Sequence, residues 1–179
     1  MTQRLEALKG NITQAMEQVA KDEKMSPEEI RVGLAQGTIS IPFNPLHKDC
    51  KPLGVGKGLR TKVNANIGTS ADFQNIDDEM NKLKSCIEAK ADTVMDLSTG
   101  GDINLIRRQI LDNCPLPLGT VPIYQASLEN RMTPEGMFEV VEEQAKDGVD
   151  FMTIHCGVTF ESIDCLKKQP RLINLKECL

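Results

Sequence analysis

The sequence has 179 residues, of which 40% are hydrophobic and 26% charged, which is typical of a single globular domain. Its 21 basic and 26 acidic side chains give a net charge of −5, and it has no Trp and one Tyr. This composition argues against nucleic-acid binding, which needs phosphate-neutralising or stacking side chains. No apolar run approaches the roughly 20 residues of a membrane helix, and no signal-peptide pattern follows Met1. We therefore expect a soluble, cytoplasmic protein with no membrane partner.

The N-terminal third of the sequence predicts two helices and an irregular connector. Apolar residues spaced by three and four predict a helix over residues 2–19, with a face formed by Leu5, Leu8, Ile12, Met16 and Val19. Ser26, Pro27 and Glu29 form the start signal of a second helix, which we expect to end at Gly37. Residues 38–60 are rich in Pro and Gly. We predict an N-terminal helical cap and connector over residues 1–60.

From residue 61 the pattern changes to alternating strands and helices. The predicted strands cover residues 61–68, 92–99, 118–126 and 151–156. Apolar faces mark the helices between them: Met80, Leu83 and Ile87; Ile103, Ile106 and Ile110; Met137, Val140, Val141 and Ala145. Thr133 and Pro134 start the third of these helices, and a fourth is predicted over residues 159–168.

The strand–helix unit repeats about every 30 residues, the length of a strand with a crossover helix in a parallel sheet. Four such units amount to half of an eight-stranded (β/α) barrel, whose usual length is about 250 residues. We therefore predict an α/β fold in which residues 61–179 form the first half of a (β/α)8 TIM-type barrel. A short open parallel sheet is the alternative.

Four residues stand near the carboxyl ends of the four predicted strands, where barrel enzymes place their reactive groups. They are Asn66, Met95, Tyr124 and His155, separated by 29, 29 and 31 residues. An amide, a phenol and an imidazole can bind a polar ring, a ribose or a phosphate. Each also has a purely structural interpretation: a turn-capping Asn, a core Met, a packing Tyr and a hydrogen-bonded core His.

The six cysteines form no metal or redox motif. They are Cys50, Cys86, Cys114, Cys156, Cys165 and Cys178, and no C-x-x-C pair occurs among them. Six cysteines are compatible with three disulfides, but disulfides belong to oxidising compartments and the sequence carries no secretory signal. We predict reduced, mostly buried thiols and no metal ligands.

Four long sequence blocks resemble one enzyme family. They are GKGLRTKVNANIGTS at residues 56–70, ADTVMDLSTGGD at residues 91–102, GTVPIYQA at residues 119–126 and DGVDFMTIHCG at residues 147–157. In this order they resemble the phosphomethylpyrimidine synthases, a radical S-adenosylmethionine family of thiamine biosynthesis. The resemblance covers about residues 1–168.

The resemblance implies a (β/α)8 barrel, a homodimer and conversion of aminoimidazole ribonucleotide into hydroxymethylpyrimidine phosphate. It assigns substrate binding to Asn66, Met95, Tyr124 and His155. It also implies S-adenosylmethionine, a 4Fe–4S cluster and zinc as cofactors. The family's Ser-Arg-Gly and Asp-Gly-Leu-Arg blocks, metal-binding histidines and C-x2-C-x4-C cluster motif do not occur in this sequence, although residues 171–175 resemble the approach to the Ser-Arg-Gly block. We therefore expect a truncated chain without the cofactor ligands, and no catalytic residue is assigned.

Three other functions remain open at this point. The paralogous 5-hydroxybenzimidazole synthase of anaerobic cobamide biosynthesis uses the same ribotide and the same barrel. A non-catalytic half-barrel that dimerises through its exposed strand edges is a second alternative. A half-barrel that binds an unrelated phosphate ligand is the third.

Overall fold

The computed structural model describes residues 2–168, which contain eight helices and six strands. The helices are α1 (Gln3–Leu8), α2 (Gln14–Glu23), α3 (Pro27–Gln36), α4 (Ile76–Glu88), α5 (Ile103–Asn113), α6 (Pro122–Leu128), α7 (Pro134–Asp147) and α8 (Phe160–Lys168). The strands are β1 (Ile39–Ser40), β2 (Val55–Gly56), β3 (Asn64–Ile67), β4 (Thr93–Asp96), β5 (Leu118–Thr120) and β6 (Phe151–Met152). The predictions for residues 171–175 and Cys178 lie outside the described residues.

The N-terminal helices pack around their own apolar core. Its buried members are Ala7, Met16, Val19, Ala20, Ile30, Leu34, Ile39 and Ile41. The capping box at Ser26 and Glu29 is present, and Gly37 ends α3 in the left-handed conformation, as the sequence predicts. The single helix predicted over residues 2–19 is wrong. Gly10 has a φ of +84° between α1 and α2, and the Thr13 side chain starts α2 by accepting a hydrogen bond from the Met16 N–H.

The larger sheet is parallel, and its strands lie in chain order β3-β4-β5-β6. Helices α4, α5 and α7 lie between successive strands in the chain, so the predicted alternation of strand and helix is confirmed. A second apolar core packs here, formed by Ile67, Leu83, Val94, Ile106, Ile110, Leu111, Cys114 and Leu118. The architecture is therefore mixed α/β with a four-stranded parallel sheet. That this sheet is the first half of a (β/α)8 barrel stays a prediction.

The third predicted strand is too long. Strand β5 ends at Thr120, and Pro122 occupies the first turn of α6. Proline suits this position because its fixed φ is helical and its missing N–H is not needed there. Tyr124 therefore lies on a helix and not on a strand.

The fourth predicted strand is also too long, because only Phe151 and Met152 pair with β5. His155 therefore lies in an exposed segment beyond the sheet. The apolar face predicted for α7 is partly wrong as well. Val140 is buried, but Ala145 is exposed and the polar Gln144 is buried in its place.

All five described cysteines are free, in agreement with the predicted reduced thiols. The prediction that they are mostly buried is wrong. Cys114 is buried and Cys50 and Cys86 are half-buried, whereas Cys156 and Cys165 are exposed because they follow the last strand.

Candidate functional site at the carboxyl end of the sheet

Asn66 and Met95 are neighbours on adjacent strands. They are register partners of β3 and β4, and side chains of register partners lie on the same face of a sheet. Asn66 is exposed, and its Oδ1 accepts a hydrogen bond of 2.8 Å from Nδ2 of Asn64. Oδ1 of Asn64 accepts in turn from the Thr93 hydroxyl at 2.8 Å. This chain of hydrogen bonds orients the Asn66 amide beside the half-buried Met95 side chain.

The same row continues across the sheet through two residues that sequence reasoning missed. Gly119 of β5 is the register partner of Met95, and Phe151 of β6 is the partner of Gly119. A Cβ on Gly119 would lie 2.3 Å from the Phe151 ring and 2.9 Å from Cγ of Met95. The glycine therefore allows both large side chains to approach each other over β5. The family block GTVPIYQA begins with this glycine, but nothing in the sequence indicates that Met95 and Phe151 approach each other over it.

Tyr124 and His155 form the second pair of predicted residues. Their ring centroids lie 6.1 Å apart with an interplanar angle of 43°, a tilted arrangement within the usual range for interacting rings. Tyr124 is half-buried on α6, directly after β5, and His155 follows β6. The four predicted residues thus form two pairs, one in the sheet and one among the segments that leave its carboxyl edge.

The loops after β3 and β4 are tied together next to these pairs. The Thr69 N–H donates to the Ser98 hydroxyl at 3.1 Å, and the Thr69 hydroxyl donates to the Gly100 carbonyl at 2.6 Å. Asp96, the last residue of β4, accepts from both the N–H and the hydroxyl of Ser98. Burial raises the pKa of Asp96, although the Ser98 hydrogen bonds favour its charged form.

One group among the described residues has the composition of a metal site: His47, Cys50 and Asp150. Both His47 ring nitrogens are already bound, Nδ1 to Asp150 Oδ2 at 2.6 Å and Nε2 to the Cys114 carbonyl at 2.9 Å. Burial raises the pKa of Cys50, which keeps its sulfur a thiol and not the thiolate that binds metals. The group therefore fits neither zinc nor an iron–sulfur cluster, and we assign it a structural role.

The sequence profile of the Radical SAM ThiC family matches residues 2–176. The chain belongs to this family. Radical SAM ThiC proteins, as the family description implies, use S-adenosylmethionine and an iron–sulfur cluster. The predicted family resemblance is thereby confirmed.

Relatives in this family include three phosphomethylpyrimidine synthases. The one from Desulforamulus reducens is 53% identical, that from Desulforudis audaxviator 54% and that from Moorella thermoacetica 49%. Each alignment covers 98% of this chain and 42% of the relative. The chain thus spans less than half the length of these radical SAM ThiC relatives. Among residues 2–168, none of the helices combines the length and the hydropathy needed to cross a bilayer.

Proposed function

We propose that this chain carries the substrate-binding part of a phosphomethylpyrimidine synthase and that it binds aminoimidazole ribonucleotide. The observation that carries the proposal is the Tyr124–His155 ring pair at the carboxyl edge of a parallel sheet, in a chain of the radical SAM ThiC family. Carboxyl edges of parallel sheets are where α/β proteins bind their ligands. The names of the relatives favour the pyrimidine product over the benzimidazole product.

The chemistry of the four side chains suits the parts of this ribotide. Met95 offers a polarisable apolar surface to the flat imidazole ring. Asn66 offers an amide that both donates and accepts, as ribose hydroxyls require. Tyr124 and His155 offer hydrogen-bonding groups for the phosphate or for a ring nitrogen. Several weak contacts of this kind hold a reactant in one orientation, which the rearrangement of the ribotide in the whole protein requires.

The radical step is not assigned to residues of this chain. The described residues contain no group that fits the iron–sulfur cluster, and the family's C-x2-C-x4-C motif does not occur in the 179 residues. Our proposal for this chain is therefore binding and orientation of the substrate, with the turnover of the ribotide as a property of the whole protein.

Isothermal titration calorimetry with aminoimidazole ribonucleotide tests this function. We expect saturable binding by the wild-type chain and affinities at least about tenfold lower in His155→Ala and Asn66→Ala. Asn113→Ala is the matched control, because Asn113 is exposed at the far end of α5 and hydrogen-bonds within its own helix. Absence of binding by the wild type, or equal affinities in all three variants, would reject the proposal.

The proposal includes a homodimer in the cytoplasm. Large apolar side chains are exposed around the end of β6 and on α8: Ile154, Val158, Phe160, Ile163 and Leu166. Exposed apolar patches of this kind are typical of interaction surfaces. Sedimentation velocity measures the oligomeric state, and a monomer over the whole accessible concentration range would contradict the dimer.

A further inference from the structure

Arg107 of α5 is a buried cation that the proposed function does not use. It is 1% exposed, and its guanidinium donates to Asp147, to Asn104 and to Oε1 of Gln125, the last at 2.9 Å. A buried guanidinium is tolerated only when its N–H groups are paired, and its planar fork fixes the direction of each hydrogen bond. Arg107 therefore holds the Gln125 side chain in one orientation.

Gln125 of α6 is the hub of this polar cluster. It is also 1% exposed, and its Oε1 accepts a second hydrogen bond of 2.8 Å from Nε2 of Gln144. Its Nε2 donates at 3.0 Å to both Asn104 and Glu129. Both ends of this one amide are thus engaged by neighbouring side chains.

The cluster also reaches the sheet. Gln144 of α7 accepts a hydrogen bond of 2.6 Å from the hydroxyl of Thr120, the last residue of β5. Arg107, Gln125, Gln144 and Thr120, which we call the Gln125 network, therefore connect α6 with α5, α7 and β5. A buried polar network whose members are all hydrogen-bonded makes its surroundings rigid. We therefore infer that the Gln125 network fixes the position of α6.

Helix α6 depends on this anchor. It has seven residues, and its first turn has no side-chain cap. A helix this short is not stable by itself, so tertiary contacts determine its orientation. Tyr124 directly precedes Gln125, and Tyr124 lines a small cavity together with Arg107 and Gln144.

We propose that Gln125 is a positioning residue, which through Arg107 and Gln144 holds the Tyr124 ring against His155. Loss of the network would allow α6 to rotate, and the 6.1 Å ring pair would separate. Its importance for ligand binding rests on the proposed function, but the effect on the Tyr124 ring does not.

Spectroscopy can observe Tyr124 alone, because the chain has one Tyr and no Trp. Its tyrosine band in near-ultraviolet circular dichroism reports how firmly this one ring is held. We expect Gln125→Met, which keeps the length of the side chain but removes its amide, to lose at least about half of this band. Ser127→Ala, an exposed change on the same helix, is the matched control and leaves the band unchanged.

Folding is checked in each variant by far-ultraviolet circular dichroism and cooperative urea unfolding. If Gln125→Met does not fold, Gln144→Met takes its place, because it removes the hydrogen bonds of Gln144 to Gln125 and Thr120 without changing the sequence of α6. A folded Met variant with the wild-type tyrosine band overturns the proposal.

Titration with aminoimidazole ribonucleotide then separates positioning from function. We expect about tenfold weaker binding by Gln125→Met than by the wild type. Failure of the wild type to bind rejects the proposed function, while the apo spectra still decide the positioning role. If Gln125→Met loses the tyrosine band but binds the ribonucleotide as tightly as the wild type, the orientation of Tyr124 does not contribute to binding. Gln125 then positions the Tyr124 ring without affecting the ligand.

Discussion

His47 and Asp150 lie 103 residues apart in the sequence, and their side chains form an ion pair with no solvent exposure. The Cys114 carbonyl at one ring nitrogen and the Asp150 carboxylate at the other both accept, so the geometry favours the imidazolium form of His47, in which both nitrogens donate. Asp150 also accepts from the N–H groups of Leu118 at 2.8 Å and Asn44 at 2.7 Å. The pair thus joins the connector to the start of β5.

This pair predicts a pH dependence of stability. Burial alone would lower the pKa of His47, but the hydrogen bond and charge of Asp150 outweigh it and raise the pKa above 6.5. As the pH rises past 6.5 the unfolded chain loses this proton first, so the native state binds more protons and stability falls. We expect the free energy of unfolding to fall by up to about 1.4 kcal/mol per pH unit until His47 titrates.

Urea unfolding of the wild type and of His47→Gln between about pH 6 and pH 8 measures this effect. The variant cannot titrate at this position, so the difference between the two free energies of unfolding isolates His47. We expect the difference to shrink as the pH rises. A difference that stays constant over this range would contradict the imidazolium assignment.

The loops after β3 and β4 pack so closely at Gly100 that a larger residue should not fit there. A Cβ on Gly100 would lie 2.3 Å from the carbonyl oxygen of Ser70 and 2.7 Å from the Ala71 nitrogen, which are backbone atoms. We expect Gly100→Ala to lower the free energy of unfolding by about 1–3 kcal/mol, because one loop must move. Gly157→Ala is the control, because its Cβ would contact nothing within 4 Å. Equal urea midpoints for both variants would show that the loops adapt.

The cysteines are expected to differ in their reactivity. Thiolates are the reactive form, and burial raises the pKa of Cys114 to about 11. Cys156 and Cys165 are exposed. We expect iodoacetamide to alkylate Cys156 and Cys165 first in the folded protein and Cys114 last, and all at similar rates after denaturation. Peptide mass spectrometry measures these rates, and rapid native labelling of Cys114 would show that its surroundings open.

Local signals in the sequence predicted the elements that begin with a cap. Ser26 before Pro27 and Thr133 before Pro134 start α3 and α7, because a hydroxyl followed by proline satisfies the first turn from within a few residues. The start of α6 at Pro122 was not predicted. Val121, which precedes this proline, has no capping side chain, and the surrounding residues favour a strand.

Distant polar pairs could not be predicted from the sequence. Hydrophobic periodicity identifies apolar faces, but it gives no information about which polar side chains are buried together. Nothing in the sequence pairs Gln125 with Gln144, or Asp150 with His47, before the helices and strands pack on each other. Strand spacing predicted the four candidate binding residues, but their pairing depends on how β5 and β6 end.

An ion pair lies at the predicted boundary between the N-terminal segment and the sheet. Nζ of Lys62 lies 2.6 Å from Glu23 of α2, and the two side chains are only 6% and 7% exposed. The Arg60 N–H donates to the other Glu23 oxygen at 2.7 Å. Burial would raise the pKa of Glu23, but Lys62 and the Arg60 N–H outweigh it and lower the pKa. Glu23 therefore stabilises the fold at neutral pH, and this contribution is lost as the pH falls through the lowered pKa.

The division at residues 60 and 61 stays a prediction, and Glu23→Gln tests how strongly the two parts are coupled. We expect this variant to lower the free energy of unfolding by about 2 kcal/mol, because it leaves Lys62 without its charged partner. Glu17→Gln, an exposed change on the same helix, should have little effect. Tyrosine fluorescence reports the sheet side alone, since Tyr124 lies on α6, whereas far-ultraviolet circular dichroism reports both parts. If the two parts unfold as one, Glu23→Gln lowers both urea midpoints equally. A shift in the circular dichroism midpoint with an unaltered Tyr124 midpoint would show that residues 1–60 unfold separately.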